Sequence, residues 1–146
     1  MTERPDLYGT DDVIRHLLQD TETWAIVGLS DNRMRAAYSV AQFLQRQGKR
    51  IVPVHPRAAE VLGEPGFATL AAAAAAVGPL DVVDVFVNSA LAGAVAKDAI
   101  EVGAQGIWFQ FDVIDEAAAQ EAVAVGIDMV MDRCPVIEWP RLGPAA

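Results

Sequence analysis

Residues 23–37 read Thr23-Trp24-Ala25-Ile26-Val27-Gly28-Leu29-Ser30-Asp31-Asn32-Arg33-Met34-Arg35-Ala36-Ala37. The segment opens as a near-continuous apolar run, breaks at one glycine, passes through a polar and basic loop, and leads into a helical stretch. An apolar run without alternation is how a strand buried on both faces reads. Gly28 permits a tight turn and the close approach of a ligand to the backbone. Unpaired N–H groups at the start of the next helix favour a bound phosphate, and Arg33 and Arg35 add positive charge. The loop is not Gly-x-Gly-x-x-Gly, because only Gly28 is glycine, and it lacks the Gly-Lys-Ser/Thr of a P-loop.

Four more apolar runs follow: Arg50–Val54 (RIVPV), 82–87 (VVDVFV), 106–111 (GIWFQF) and 127–131 (IDMVM). Helical stretches separate them. Residues 38–47 place Val40, Phe43 and Leu44 on one face and stop at Gly48. Leu70–Val77 is alanine-rich, and alanine is the best helix former. Residues 89–102 start with Ser89 as a cap and end at Gly103; residues 115–125 start with Asp115 and end at Gly126. A further helix, Asp11–Gln19 capped by Thr10, precedes the first run. Strand–helix–strand order predicts an α/β domain with a mostly parallel sheet and right-handed crossovers that put helices on both faces. One domain is expected over 1–146, with 1–22 as an N-terminal helical extension. Residues 135–146 carry Pro135, Pro140 and Pro144 and are expected as an extended tail, with Val136, Ile137 and Trp139 free to pack.

A chain of 146 residues suits one domain. With 53% hydrophobic and 21% charged residues, it is too apolar to be intrinsically disordered. The charge-free stretch 65–80 is broken by Pro65, Gly66, Gly78 and Pro79, so no run approaches the ~20 apolar residues of a membrane span. The charged opening residues show no secretory signal. Cys134 is the single cysteine and has no intramolecular partner. A soluble, cytoplasmic protein is expected.

Twenty acidic against eleven basic residues give a net charge of −9. That balance argues against nucleic acid and anionic membranes as partners, and leaves room for a small anionic ligand held in a local pocket. Positive charge gathers within residues 31–57, where Asp31 is the one acid beside Arg33, Arg35, Arg46, Lys49, Arg50 and Arg57. Arg46, Lys49 and Arg50 fall at the end of the second helix, at the opposite edge of the sheet. Arg33, Arg35 and Arg57 fall on the edge where ligands bind in such folds, outside the carboxyl ends of the strands where the strand order reverses.

The loops at that edge carry the candidate residues. His55-Pro56-Arg57 lacks the acid that an NAD site uses for its ribose hydroxyls; the next acid is Glu60. Arg57 instead suits a ribose-linked phosphate, as in NADP or coenzyme A. Val87-Asn88-Ser89 offers small polar groups at a helix start. In Trp108-Phe109-Gln110 the aromatic pair reads as core, while Gln110 is an amide in need of partners. Cys134 has no evident base beside it and reads as structural. His16, His55 and Cys134 have no metal-ligand spacing. Asp81 and Asp84, at the start and interior of the third strand, read as a fold feature. No catalytic or metal-binding group is singled out.

Taken in order, Ala25-Ile26-Val27-Gly28-Leu29-Ser30, Val52-Pro53-Val54-His55-Pro56, Leu62-Gly63, Asp81-Val82-Val83-Asp84-Val85-Phe86, Ile107-Trp108-Phe109-Gln110 and Val130-Met131-Asp132-Arg133-Cys134 resemble the small single-domain CoA-binding protein family. That fold is similar to the CoA-binding domain of succinyl-CoA synthetase alpha subunits. The resemblance implies a Rossmann-like, doubly wound three-layer domain, a five-stranded mostly parallel sheet of order 3-2-1-4-5, and coenzyme A lying across the strand ends. The Ser30–Arg35 loop, with Ser30, Asn32, Arg33 and Arg35, would face the phosphates, and Gly28, Leu29 and Ser39 would also belong to the binding site. His55, Pro56 and Arg57 would flank the adenosine end. Val87, Asn88, Phe109 and Gln110 would line the pantetheine path.

The family usually reads Val-Asn-Pro where this chain has Val54-His55-Pro56. It often has Arg where this chain has Val87, and tends to Gly near Asp112. The expected function is non-catalytic binding of coenzyme A or an acyl-CoA, as a carrier, sensor or regulatory module. The alternatives are an NADP-dependent oxidoreductase, or a partner-binding subunit that has lost its nucleotide.

Overall fold

The computed structural model describes residues 6–145; the charged opening residues 1–5 and Ala146 lie outside the described residues. In chain order the elements are α1 (Asp11–Gln19), β1 (Thr23–Val27), α2 (Ala36–Arg46), β2 (Arg50–Val54), α3 (Leu70–Val77), β3 (Val82–Val85), α4 (Ser89–Glu101), β4 (Gly106–Phe109), α5 (Glu116–Ala124), β5 (Asp128–Val130) and α6 (Pro135–Leu142). The strands are short, buried on both faces and parallel throughout.

Alternation along each strand divides the interior into two cores. Ala25 and Val27 point with Val83, Val85 and Ile107 into the core closed by α3, α4 and α5. Trp24 and Ile26 point with Val82 and Trp108 into the core closed by α1, α2 and α6. The first is closed largely by alanines, among them Ala92, Ala96, Ala118 and Ala122, so those helices lie close on the sheet. The second is built from larger side chains, with Trp24 and Trp108 tilted against each other at 5.7 Å. The three layers are the doubly wound α/β architecture expected.

The sheet order is β2-β1-β3-β4-β5. A single parallel bridge joins Val54 to Phe67 on the outer side of β2, with Phe67 N–H donating to Pro53 O and His55 N–H to Phe67 O. Counted as a rudimentary strand, it makes the run from that edge 3-2-1-4-5, with β5 as one strand more. The missing N–H of Pro53 thus falls on the edge side, where a strand tolerates proline.

Two expectations are corrected. Ser89 does not cap α4: Asn88 is the N-cap and makes no side-chain cap bond. The Ser89 hydroxyl instead donates to Asp112 O at 3.0 Å and accepts from Ile114 N–H at 2.9 Å. The 135–146 segment is not an extended tail either, since α6 occupies most of it. Pro135 sits at the first helical position, where no N–H is needed. Pro140 removes a donor from the helix interior, but tertiary contacts hold the segment. Trp139 stands edge-on to Phe43 at 5.5 Å. Arg141 pairs with Asp11 at 2.9 Å, and Gln19 donates to Leu142 O and Gly143 O.

Asp84 sits in the middle of β3, in register with Ile26 and Trp108 on the α1–α2–α6 side. It is fully buried, and neither carboxyl oxygen has a hydrogen-bond partner among the described residues. Burial pushes its carboxyl well above the usual carboxylate range. Once the pH exceeds the unfolded value of ~4, the folded state keeps a proton that the unfolded state releases. Asp84 therefore costs stability progressively as pH rises toward its folded pKa. Asp84→Asn should gain stability relative to the native protein as pH rises from 4 to 8 in urea titrations. An offset constant across that range would contradict a neutral buried acid.

Candidate functional site

The ends of β1, β2 and β3 are pinned together by backbone bonds. Gly28 N–H donates to Val54 O at 2.8 Å and Phe86 N–H to Val27 O at 2.9 Å. From here the chain leaves β1 toward the α2 side, while β3 leads to α4 on the opposite side. No connection crosses the gap, so a crevice opens above the strand ends. Gly28 turns the chain at φ +101°, and a Cβ there would lie 3.2 Å from Phe86 Cβ.

The loop after Gly28 is held by its own polar groups. Ser30 Oγ accepts from Asn32 N–H at 3.2 Å and Asn32 Oδ1 from Met34 N–H at 3.0 Å. These local bonds are what serine and asparagine supply in turns. Arg35 then forms the N-cap of α2 without any side-chain cap bond, and the first turn contains no acid. By contrast, Thr10, Thr69 and Asp115 cap α1, α3 and α5 through their side chains. The first amides of α2 have no partner within the helix.

A cavity of about 610 Å³ fills the crevice. Its lining brings together Gly28, Ser30, Asn32 and Arg35 from the first loop, His55, Pro56 and Arg57 from the second, and Val87 from the third. Arg57 lies 3.7 Å from Asp31 across the mouth, with both side chains 64% exposed. Such a pair is weak, so Arg57 is available to another anion. Arg57 N–H donates to His55 Nδ1 at 3.1 Å, which leaves the neutral ring's proton on Nε2.

The other sequence candidates lie apart from this cavity. Leu29 is buried in the α2-side core. Arg33 stacks over the Tyr38 ring at 5.9 Å. Ser39 is exposed on α2, and Asn88 is exposed at the start of α4. Phe109 is sealed in the core under α3–α5, as its reading as core had it. Gln110 is buried, and its Oε1 has no hydrogen-bond partner among the described residues.

Sequence reading missed Phe86 and a whole face of α4: Leu91, Ala94, Val95 and Asp98 all line the cavity. Their i, i+3, i+4, i+7 spacing was the available signal. Ala36 and Ala37, at the start of α2, also line it. Arg35 and Arg57 sit on the loops, whereas Asp98, the acidic lining residue, sits about two turns into α4 from its start. The arrangement can hold an extended ligand that is anionic at the loop end and largely apolar along α4.

Gly28→Ala should lower stability by about 1–2 kcal/mol, the cost of forcing a side chain to positive φ, with the Phe86 contact added. Urea denaturation of the ligand-free protein measures this, and an unchanged midpoint would show that the turn relaxes freely.

The chain matches the family described as CoA binding domain over residues 22–140. It is 34% identical over 121 residues to uncharacterized protein YneT of Bacillus subtilis, covering 83% of this chain and 87% of that one. The fold superposes on a hypothetical protein from Pyrococcus horikoshii with TM-score 0.85 and 32% identity, covering 97% of this chain and 98% of that one. It also superposes on the Thermus thermophilus protein titled cell-free ID.343, with TM-score 0.83 and 28% identity, covering 91% and 98%. The chain belongs to the CoA binding domain family.

Proposed function

We propose that this domain binds coenzyme A or an acyl-CoA reversibly and without transforming it, as a carrier, sensor or regulatory module. The observation that carries the reading is the uncapped start of α2. Ala36 and Ala37, the first two residues of that helix, line the cavity beside Arg35, with no acid in the first turn. Free amides and a helix N-terminus suit a diphosphate. Arg57, at the end of a β2 that carries no acid, suits the ribose phosphate.

The adenosine end would lie beside His55, Pro56 and Arg57, and the pantetheine arm would leave past Val87 toward Asn88. Of the titratable cavity groups, His55 Nδ1 is already engaged by a backbone amide, which favours a holding role over proton transfer. No group of His, Cys, Asp and Glu among the described residues could hold a metal. Among them, too, no helix is long and apolar enough to cross a membrane. One buried cysteine suits a reducing compartment such as the cytoplasm.

Thermal unfolding with titrated CoA, dephospho-CoA, NADP and ATP tests the reading. CoA at 100 times its Kd adds about 2.7 kcal/mol of stability. A shift with NADP alone would favour a redox enzyme. No shift with any nucleotide would favour a partner-binding subunit.

Arg35→Ala and Arg57→Ala should each weaken CoA about fivefold, the worth of a partly exposed charged contact. Arg33→Ala should change it less than about twofold, because its guanidinium stacks on Tyr38. Dephospho-CoA should be insensitive to Arg57→Ala, and equal losses for both ligands would move the ribose phosphate elsewhere.

A further inference from the structure

The cavity does not end at the loops. Thr69 and Leu70 line it from the start of α3, and Ala94, Val95 and Asp98 line it from α4. The two helices pack side by side over the same core. Leu70 is buried and Val95 half-buried, while Thr69, Ala94 and Asp98 are exposed. This end is therefore apolar on its buried side and polar at its rim.

The rim offers one acceptor and one donor. Asp98 is the one acid among the described lining residues. Its backbone carbonyl accepts from Val102 N–H, but its carboxylate has no hydrogen-bond or ion-pair partner among the described residues. Thr69 Oγ1 accepts from Ala72 N–H at 3.1 Å, which leaves its hydroxyl proton to donate elsewhere. An acid at this end opposes phosphate, so the phosphates belong with Arg35 and Arg57 on the loops.

Chain connections say which part of the ligand lies here. The Val54–Phe67 bridge, with His55 N–H donating to Phe67 O, ties the segment just before Thr69 to the second loop. The α3 start thus lies beside His55 and Arg57, where the adenosine end is proposed. The pantetheine arm is proposed to leave at the other end of α4. Asp98 follows Ser89 on that helix by roughly 13 Å of rise.

We propose that Asp98 and Thr69 read the base of the ligand. The Asp98 carboxylate accepts from the exocyclic N6 amine of adenine, the Thr69 hydroxyl donates to a neighbouring ring nitrogen, and Leu70 and Val95 flank the ring. This rests on the CoA-binding reading above and adds to it a preference for adenine over purines with a keto oxygen at the same position. Adenine places an amine donor beside a nitrogen acceptor, whereas guanine and hypoxanthine place an oxygen acceptor there. A carboxylate facing that oxygen loses its partner and is repelled by it.

Calorimetric titration with CoA, its hypoxanthine analogue, adenosine 3′,5′-bisphosphate and 4′-phosphopantetheine provides the test. The native protein is expected to prefer CoA over the hypoxanthine analogue about tenfold, the worth of a partly exposed hydrogen bond to a charged group. Asp98→Asn removes a negative charge at an exposed position, so charge alone would tighten CoA. Base reading requires the reverse. CoA and adenosine 3′,5′-bisphosphate should weaken about fivefold, and the hypoxanthine analogue should gain, because an amide can donate to its oxygen. Binding of 4′-phosphopantetheine, which has no base, should not change. Glu101→Gln, the same charge change on α4 outside the cavity lining, should keep the native preference. Equal affinity for CoA and its hypoxanthine analogue, or a preference that survives Asp98→Asn, overturns base reading alone. A loss with 4′-phosphopantetheine and none with adenosine 3′,5′-bisphosphate overturns it in favour of the arm. Failure of CoA and adenosine 3′,5′-bisphosphate to bind the native protein overturns it together with the reading it rests on.

Discussion

Everything in this molecule depends on the departure of the chain from β1 and β3 toward opposite faces of one parallel sheet. β1 lies between β2 and β3, and Gly28 and Phe86 bond across the three strand ends. α2 must then start on one side of the gap and α4 on the other. The uncapped start of α2 and the Leu91 face of α4 line a crevice that no connection can fill. The crevice is a consequence of topology, and the residues around it decide what it accepts.

Those residues separate the global charge from the local one. The chain as a whole carries a net charge of −9. Yet the loop end of the cavity carries Arg35 and Arg57, with Asp31 restraining Arg57 only weakly. Arg46 and Lys49 serve the opposite end of α2 instead. Lys49 is buried there against Thr21 O, and burial pulls its ammonium pKa down. A similar division runs through the uncharged and buried polar groups. Ser30 and Asn32 are spent on shaping their own loop, and Asp84 is buried without a partner.

The fold was legible because its signals are local. Runs such as TWAIV and GIWF are apolar on both faces, and Thr10, Thr69 and Asp115 mark helix starts by a mechanism that needs only neighbouring amides. What escaped were effects of distant partners. Three prolines suggested an extended tail, but contacts to α1 and α2 keep 135–142 helical. Ser89 looked like a cap, but two groups on the β4–α5 loop claim its hydroxyl. The site was legible in part for the same reason. Gly28 and Arg57 announce themselves in their loops, whereas Arg33 is diverted by the Tyr38 ring, five residues on in the first turn of α2. The Leu91–Asp98 face of α4 shows only as spacing, and spacing alone does not say which neighbour it meets.

We propose coenzyme A to lie across the ends of β1 and β3 with its diphosphate on the start of α2. Amide chemical-shift mapping by nitrogen-15 NMR during a CoA titration tests it most directly. The largest changes are expected at Gly28, Ser30, Ala36, Ala37 and Arg57, with smaller ones along Leu91–Val95 and none at α6. Saturable changes centred on another surface, or none at all at millimolar CoA, would contradict it.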